Sequence, residues 1–514
     1  MKPIRLMSGI FTVGVWTLAS RVLGFVRDIL IVAFLGSGPV AEAFFIAFSL
    51  PNVFRRFFAE GAFNMAFVPL FSKKLEGGED AKTFAQDAFS GLAAILIVLT
   101  VIALFAMPWL VLAMASGFAA DQRFVLAVDF GRIAFPYILF ISLAALLSGL
   151  LNATGRFAAA AAAPLLLNVL FIAAITLAAR MGWPLGTSLA WAVPLAGIAQ
   201  LALVWVAAAR AGFRLTLSRP RLTPDLKRLA IIAAPAALAG GVVQINLLIG
   251  RQVASFFDGA IVWLNVADRL YQLPLGVVGI AIGVVLLPDL ARRLRAEDTV
   301  GGRDAFNRAA EISLALTLPA AVALCVIPAP LIGVLFQRGA FDAADTAATA
   351  AALAIYGLGL PAFVLQKVLQ PLFYARENTR APFYYALCAM VVNAVLAVGL
   401  AAVLGYLAAA IGTTIAAWVM VFQLWRGSRA MGEAVKLDAR LVFRTGRILV
   451  ACTIMGLLLY IAALWLAPAF AIANWRYLAL AVLVAIGIVS YFTAAHLLGG
   501  LPLGDIRQVL RRKR

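Results

Sequence analysis

Apolar stretches of about twenty or more residues recur along the whole chain, each long enough to cross roughly 30 Å of hydrocarbon at about 1.5 Å per helical residue. A backbone facing lipid must satisfy its own hydrogen bonds, so these stretches are read as helices. Composition agrees: of 514 residues, 64% are hydrophobic and 13% charged, against roughly a quarter charged in soluble chains. The polar connections reach only about twenty residues, too short for a separate soluble domain. The expected fold is an all-α polytopic membrane protein of about fourteen transmembrane helices, with its chemistry inside the bilayer.

Spans are placed at about 9 to 36, 41 to 72, 83 to 115, 124 to 153, 157 to 180, 185 to 210, 228 to 257, 260 to 291, 306 to 336, 343 to 375, 381 to 403, 406 to 425, 441 to 467 and 475 to 499. The first is not a cleavable signal, because Arg21, Arg27 and Asp28 interrupt its apolar core. Cys325, Cys388 and Cys452 sit inside spans with no shared spacing, which implies core filler and neither a disulfide framework nor a metal site. His496, near the end of the last span, is given no role.

A formal charge of +19 raises the question of nucleic acid, and the distribution answers it. Basic residues cluster in alternate connections: with a cytoplasmic N-terminus, one set of loops carries about thirty Lys and Arg and the other about five. The charge is topological and no nucleic-acid partner is implied. Both termini are expected in the cytoplasm, and the run Arg511, Arg512, Lys513, Arg514 suits an anionic leaflet.

An internal repeat organises the chain. Phe67-Val68-Pro69-Leu70 near the end of span 2 resembles Leu286-Leu287-Pro288-Asp289 near the end of span 8. At one fixed offset Pro136 meets Pro361 and Asn168 meets Asn393; one residue further on, Leu185-Gly186-Thr187-Ser188 meets Ile411-Gly412-Thr413-Thr414. The repeat unit holds an even number of spans, so the copies enter from the same side as two parallel six-helix lobes, the plan of a transporter whose substrate site lies near the midplane. The expected divisions are an N-terminal lobe over 1–212, a C-terminal lobe over 226–427, an appendage of helices 13 and 14 over 440–500, and a basic cytoplasmic tail over 501–514.

Ionisable residues concentrate on three spans: Arg21, Arg27 and Asp28 on span 1; Glu42, Arg55, Arg56 and Glu60 on span 2; Asp268 and Arg269 on span 8. Each costs about 2.5–3.5 kcal/mol at a helix centre, so the concentration argues for a water-filled cavity. Arg21 and Asp28, seven apart, nearly superpose around the helix, while Arg27 lies about 120° from Arg21 and is expected to have no local partner. Arg56 and Glu60, four apart, can pair along one face. Arginine offers a planar fork of donors matched to phosphate oxygens, so Arg27, Arg55 and Arg269 point to a phosphorylated or pyrophosphorylated head group. Arg132 and Lys367 are weaker candidates that can snorkel or pair locally. Gly24 and Pro51 supply bendable positions beside these cations.

The stretch Ser20-Arg21-Val22-Leu23-Gly24-Phe25-Val26-Arg27-Asp28, with Leu50-Pro51-Asn52-Val53-Phe54-Arg55-Arg56 and Phe58-Ala59-Glu60-Gly61-Ala62-Phe63, resembles the N-terminal signature of the MurJ (MviN) family. Ala267-Asp268-Arg269-Leu270 and Gly276-Val277-Val278-Gly279 are similar to its second signature. The resemblance implies a flippase of the multidrug/oligosaccharidyl-lipid/polysaccharide exporter superfamily. Its substrate would be lipid II, the undecaprenyl-pyrophosphate-linked peptidoglycan precursor, moved from the cytoplasmic to the outer leaflet of a bacterial inner membrane. It implies substrate-binding roles for Arg21, Arg27, Arg55 and Arg269, an acidic position at Glu42, and a polyprenyl-tail groove on helices 13 and 14. Membrane lipids and other cell-wall synthesis proteins are the implied partners.

The chain departs from some relatives at Ser49, where they carry a lysine, and in offering Asn246, Asn393 and Thr413 around a sodium site that they build with carboxylates. Sodium is therefore a candidate ion ranked below the membrane potential, and no other cofactor is expected. A drug or metabolite antiporter of the same superfamily is the rival function, because fold alone does not fix substrate. An antiporter usually needs a titratable carboxylate for coupling, whereas this cavity reads as net cationic. A membrane glycosyltransferase or phosphatase would need histidine pairs or an aspartate-rich loop that the sequence lacks, so an enzyme is not expected.

Overall fold

The computed structural model describes residues 6–55, 62–296, 298–472 and 474–501. Among them helix is the only regular structure apart from one isolated bridge between Arg338 and Phe341. The helices are α1 (Leu6–Leu35), α2 (Pro39–Arg55), α3 (Ala62–Glu76), α4 (Ala81–Phe105), α5 (Met107–Met114), α6 (Gln122–Ala134), α7 (Tyr137–Ala153), α8 (Ala158–Met181), α9 (Leu185–Arg210) and α10 (Pro224–Ala254). They continue with α11 (Ala260–Arg295), α12 (Thr299–Val326), α13 (Pro328–Phe336), α14 (Ala343–Tyr374), α15 (Arg380–Gly399), α16 (Ala401–Leu404), α17 (Leu407–Ser428), α18 (Ala439–Trp465), α19 (Ala467–Ala471) and α20 (Arg476–Leu497).

Every predicted span coincides with one helix or two consecutive ones, span 2 only in part because 56–61 lie outside the described residues. Among the described residues 10 helical stretches are long and apolar enough to cross a membrane on those grounds alone. The helices α1, α2 and α11, which carry the intramembrane charges, are not among them.

Proline explains the breaks in three of the spans expected as single helices. Span 3 divides at Ala106, because Pro108 has no N–H for the Leu104 carbonyl. Span 4 divides at Phe135 and Pro136, and span 9 at Ile327, directly before Pro328. The devices recur in order along the chain. Asp80 caps α4 through the Thr83 N–H and Asp298 caps α12 through the Gly301 N–H; after each helix comes a break, a short proline-started helix, and another aspartate cap, Asp121 on α6 and Asp342 on α14.

The chain forms two compact units, Met1–Val262 with Arg338–Phe341, and Trp263–Gln337 with Asp342–Arg514. In the first, α1 packs on α8, α2 on α6, and α9 on α7 and α8. The sequence repeat starts its second copy at α10, whereas in the structure α10 packs on α3, α4 and α5 and so belongs to the first unit. In the second unit α14 packs on α12 and α17, α15 on α17, and α18 on α12 and α20. Cys452 is buried in an apolar cluster with Ile448, Met455, Leu459 and Leu483, where it fills space between α18 and α20.

Candidate functional site

Arg27 is buried, only 6% exposed. Its Nε and Nη2 donate to Asp28 Oδ1 at 2.9 and 2.7 Å, and its Nη1 donates to Asn168 Oδ1 on α8 at 3.0 Å. The Asn168 amide in turn donates to the Ser20 carbonyl at 2.8 Å, and the guanidinium lies over the Phe171 ring at 5.5 Å. This corrects the sequence expectation that Arg27 has no local partner. Neighbouring residues on a helix diverge in direction, yet the long arginine stem folds back until both groups meet under α8.

Arg21, expected to stack over Asp28, is exposed on α1, and Asp28 is engaged with Arg27 instead. The roles of the two arginines are thus exchanged relative to the helical-wheel reading. Gly24 lies between them on an uninterrupted helix. A Cβ there would sit 3.5 Å from the Asn168 amide nitrogen, an ordinary contact distance, so α8 passes close to this position with room for a methyl group.

Arg55 is half-buried at the last residue of α2, while Arg56 and Glu60 lie outside the described residues. Pro51 sits inside α2, and polar side chains nearby bond to the helix's own carbonyls: Ser49 Oγ to Phe45 O at 2.6 Å and Asn52 Nδ2 to Phe48 O at 2.7 Å. On α11, in the second unit, Asp268 and Arg269 are half-buried, and the Asp268 carboxylate accepts from Gln272. Of the sodium candidates, Asn246 is in the first unit, and Asn393 and Thr413 are in the second. The Thr413 hydroxyl is directed to the Ala409 carbonyl at 2.9 Å, and Asn393 is fully buried against Gly412.

Glu42 belongs to a second network that the sequence did not disclose. It is 1% exposed; Oε2 accepts from Arg123 Nη1 at 2.8 Å and Oε1 from the Ile261 N–H, in the first turn of α11, at 3.2 Å. A carboxylate is favoured at that position because first-turn N–H groups have no helical acceptor. Arg123 also bonds Asp121 Oδ2 through Nε at 2.8 Å, pairs with Asp258 at 3.0 Å, and lies 4.5 Å over the Phe118 ring. Beside it, Gly117 N donates to Ser255 Oγ at 3.0 Å, and a Cβ on Gly117 would clash with the Ser255 carbonyl. Arg123 therefore ties α2, α6 and the α10–α11 loop together. Its one sequence signal is the spacing Asp121-x-Arg123 at a helix start.

A third charged hub stands in the second unit. The buried Glu311 on α12 accepts from Arg308 and Arg444 and pairs with Arg440. It anchors the start of α18 to α12.

The sequence model described as "Lipid II flippase MurJ" matches residues 31–485. The chain belongs to the MurJ family of lipid II flippases. A MurJ-family protein of Rhizobium tropici, described as a probable lipid II flippase, is 45% identical over 99% of this chain and 98% of its own length. The Burkholderia cenocepacia protein described as "Lipid II flippase MurJ" is 38% identical over 76% of this chain and 77% of its own length. In fold, the chain is similar to a solved MurJ in an inward closed conformation, with a TM-score of 0.78 at 24% identity over 94% of this chain and 98% of the other. An inward-facing multidrug transporter of the MATE family shares the fold at a TM-score of 0.65 and 16% identity, over 80% of this chain and 95% of the other.

Membership of the MurJ family makes the chain a multi-pass bacterial membrane transporter and not an enzyme. In this MurJ-family chain α18 and α20 enclose an open apolar groove of about 740 Å³, lined by residues such as Ile454, Leu458, Val482, Ile486 and Val489.

Proposed function

We propose that this chain carries lipid II from the cytoplasmic to the outer leaflet of the bacterial inner membrane by alternating access. The observation that carries this reading is the 45% identity to a probable lipid II flippase over essentially the full length of both chains. The pyrophosphate is assigned to Arg21, Arg27, Arg55 and Arg269, since guanidinium groups offer forked donors to phosphate oxygens. Arg27 is held by Asp28 and Asn168, so the substrate reaches it by competing with a carboxylate. The polyprenyl tail is assigned to the α18–α20 groove, whose lining is apolar. Both termini are placed in the cytoplasm on the asymmetry of basic loops.

The test is depletion of the protein in its host, followed by an assay of lipid II accessible from the outer face. Lipid II should accumulate and stay inaccessible, and re-expression should restore access. Undiminished outer-face access after depletion would overturn the assignment.

A further inference from the structure

An open, mostly apolar recess on the surface of the first unit is separate from the charged networks above. It measures about 690 Å³ and is formed by α4, α6, α7 and α9. Phe105, 78% exposed, and Trp191, 56% exposed, stand at its edges. Helix irregularities shape it, with Pro136 at the α6–α7 break and Pro194 within α9 among its lining residues. Arg132 is the charged residue in that lining.

Arg132 is fixed at its stem and open at its tip. The Leu104 carbonyl would ordinarily accept from the residue four places on, but that residue is Pro108, which has no N–H. Arg132 Nε donates to this carbonyl at 3.4 Å. Among the described residues no carboxylate lies within 4.0 Å of Arg132, Asp129 one turn away on α6 included. The terminal guanidinium nitrogens make no hydrogen bond to any described residue, so two adjacent donors point from an apolar wall.

We propose that this recess seats one anionic phospholipid, with the acyl chain against Phe140 and Ile198 and the phosphate on Arg132. Charge complementarity selects the occupant. A lone arginine facing hydrocarbon costs about 2.5–3.5 kcal/mol, and a forked, charge-assisted pair with a phosphate offsets that cost. A protein segment fits poorly, because the wall gives a peptide backbone no partners and unmet backbone groups in lipid are costly. The proposal goes beyond lipid II transport and does not depend on it, because the recess and the arginines assigned to pyrophosphate involve different residues.

The experiment is native mass spectrometry of the intact, detergent-purified protein titrated with phosphatidylglycerol and, separately, with phosphatidylcholine. Wild type should retain one phosphatidylglycerol about tenfold more tightly than phosphatidylcholine, whose phosphate is already matched by its own choline cation and so gains less from the guanidinium. Arg132→Leu should erase that preference, Arg132→Lys should keep part of it, and Ile198→Trp should weaken both lipids by filling the acyl seat. Asp129→Asn should leave the preference intact. Thermal unfolding and size exclusion report whether each variant is folded. Equal preference in wild type and folded Arg132→Leu would overturn the proposal. So would an Asp129→Asn variant that loses the preference as completely as Arg132→Leu, since the two residues would then act as a structural pair.

Discussion

The Arg27 guanidinium and the Asp28 carboxylate, adjacent in sequence, form an ion pair at 2.7 Å in which both side chains are 8% exposed. The pair is closed from above by Asn168. A buried ion pair loses more when one partner is removed than when both are, because the survivor is left as an uncompensated charge.

Asp28→Ala and Arg27→Ala should therefore each destabilise the folded protein, by about 3–5 kcal/mol at the upper end of what such truncations cost. The double variant should recover membrane abundance relative to either single one. Thermal unfolding in detergent and immunoblotting of membranes check this. Full abundance of both single variants would show that the pair carries no structural weight.

Arg21→Ala, Arg55→Ala and Arg269→Ala should behave differently from the Arg27 variants. These three side chains are less buried than that of Arg27, so removing them should cost less stability, and abundance should stay near wild type while complementation of a flippase-deficient strain is lost. Disappearance of these proteins from the membrane would assign the three arginines to structure and remove them from pyrophosphate binding.

Gly24→Ala separates packing from bending. The added methyl would stand 3.5 Å from Asn168, an ordinary contact, and alanine favours a helix interior over glycine by about 1 kcal/mol. The variant should fold at least as stably as wild type. Impaired flipping by a stable variant would identify Gly24 as a hinge; undiminished flipping would leave it only a place where α8 comes close.

Acid stability should report on Asp121, which precedes α6. Its hydrogen bonds to Arg123 hold its carboxyl below the usual value of 3.8, so its unfolded form binds a proton more readily than the folded one. Its contribution is complete above the unfolded value and disappears as pH falls through the lower folded value. Asp121→Asn should thus lower stability at pH 6 and flatten its dependence on pH below about 4. An unchanged acid unfolding profile for the variant would show that this carboxylate is not linked to folding.

The driving force follows from the sign of the substrate charge. An anionic head group leaving a negative interior gains about 2.3 kcal/mol per charge per 100 mV, so flipping should persist in sodium-free buffer and stop when valinomycin with potassium collapses the potential. Dependence on sodium at constant potential would reverse this and return Asn246, Asn393 and Thr413 to consideration as ion ligands.

Hydrophobic length and the positions of charged residues are properties of short stretches of chain, and they were sufficient to locate the spans, to concentrate attention on α1, α2 and α11, and to carry the family signature. Proline positions likewise contain the breaks at Ala106 and Ile327, although a uniform apolar run conceals them until the missing N–H is counted. What α1 alone could not settle was the partner of Arg27. Helical geometry puts Asp28 off to one side, and only the approach of α8 draws both side chains and Asn168 together. The same holds for Glu42, Arg123 and Asp258, separated in sequence and joined by packing of α2, α6 and the α10–α11 loop. Sequence determined which residues are costly in lipid; tertiary structure decided which of them neutralise one another, because that depends on distances between helices that no local pattern encodes.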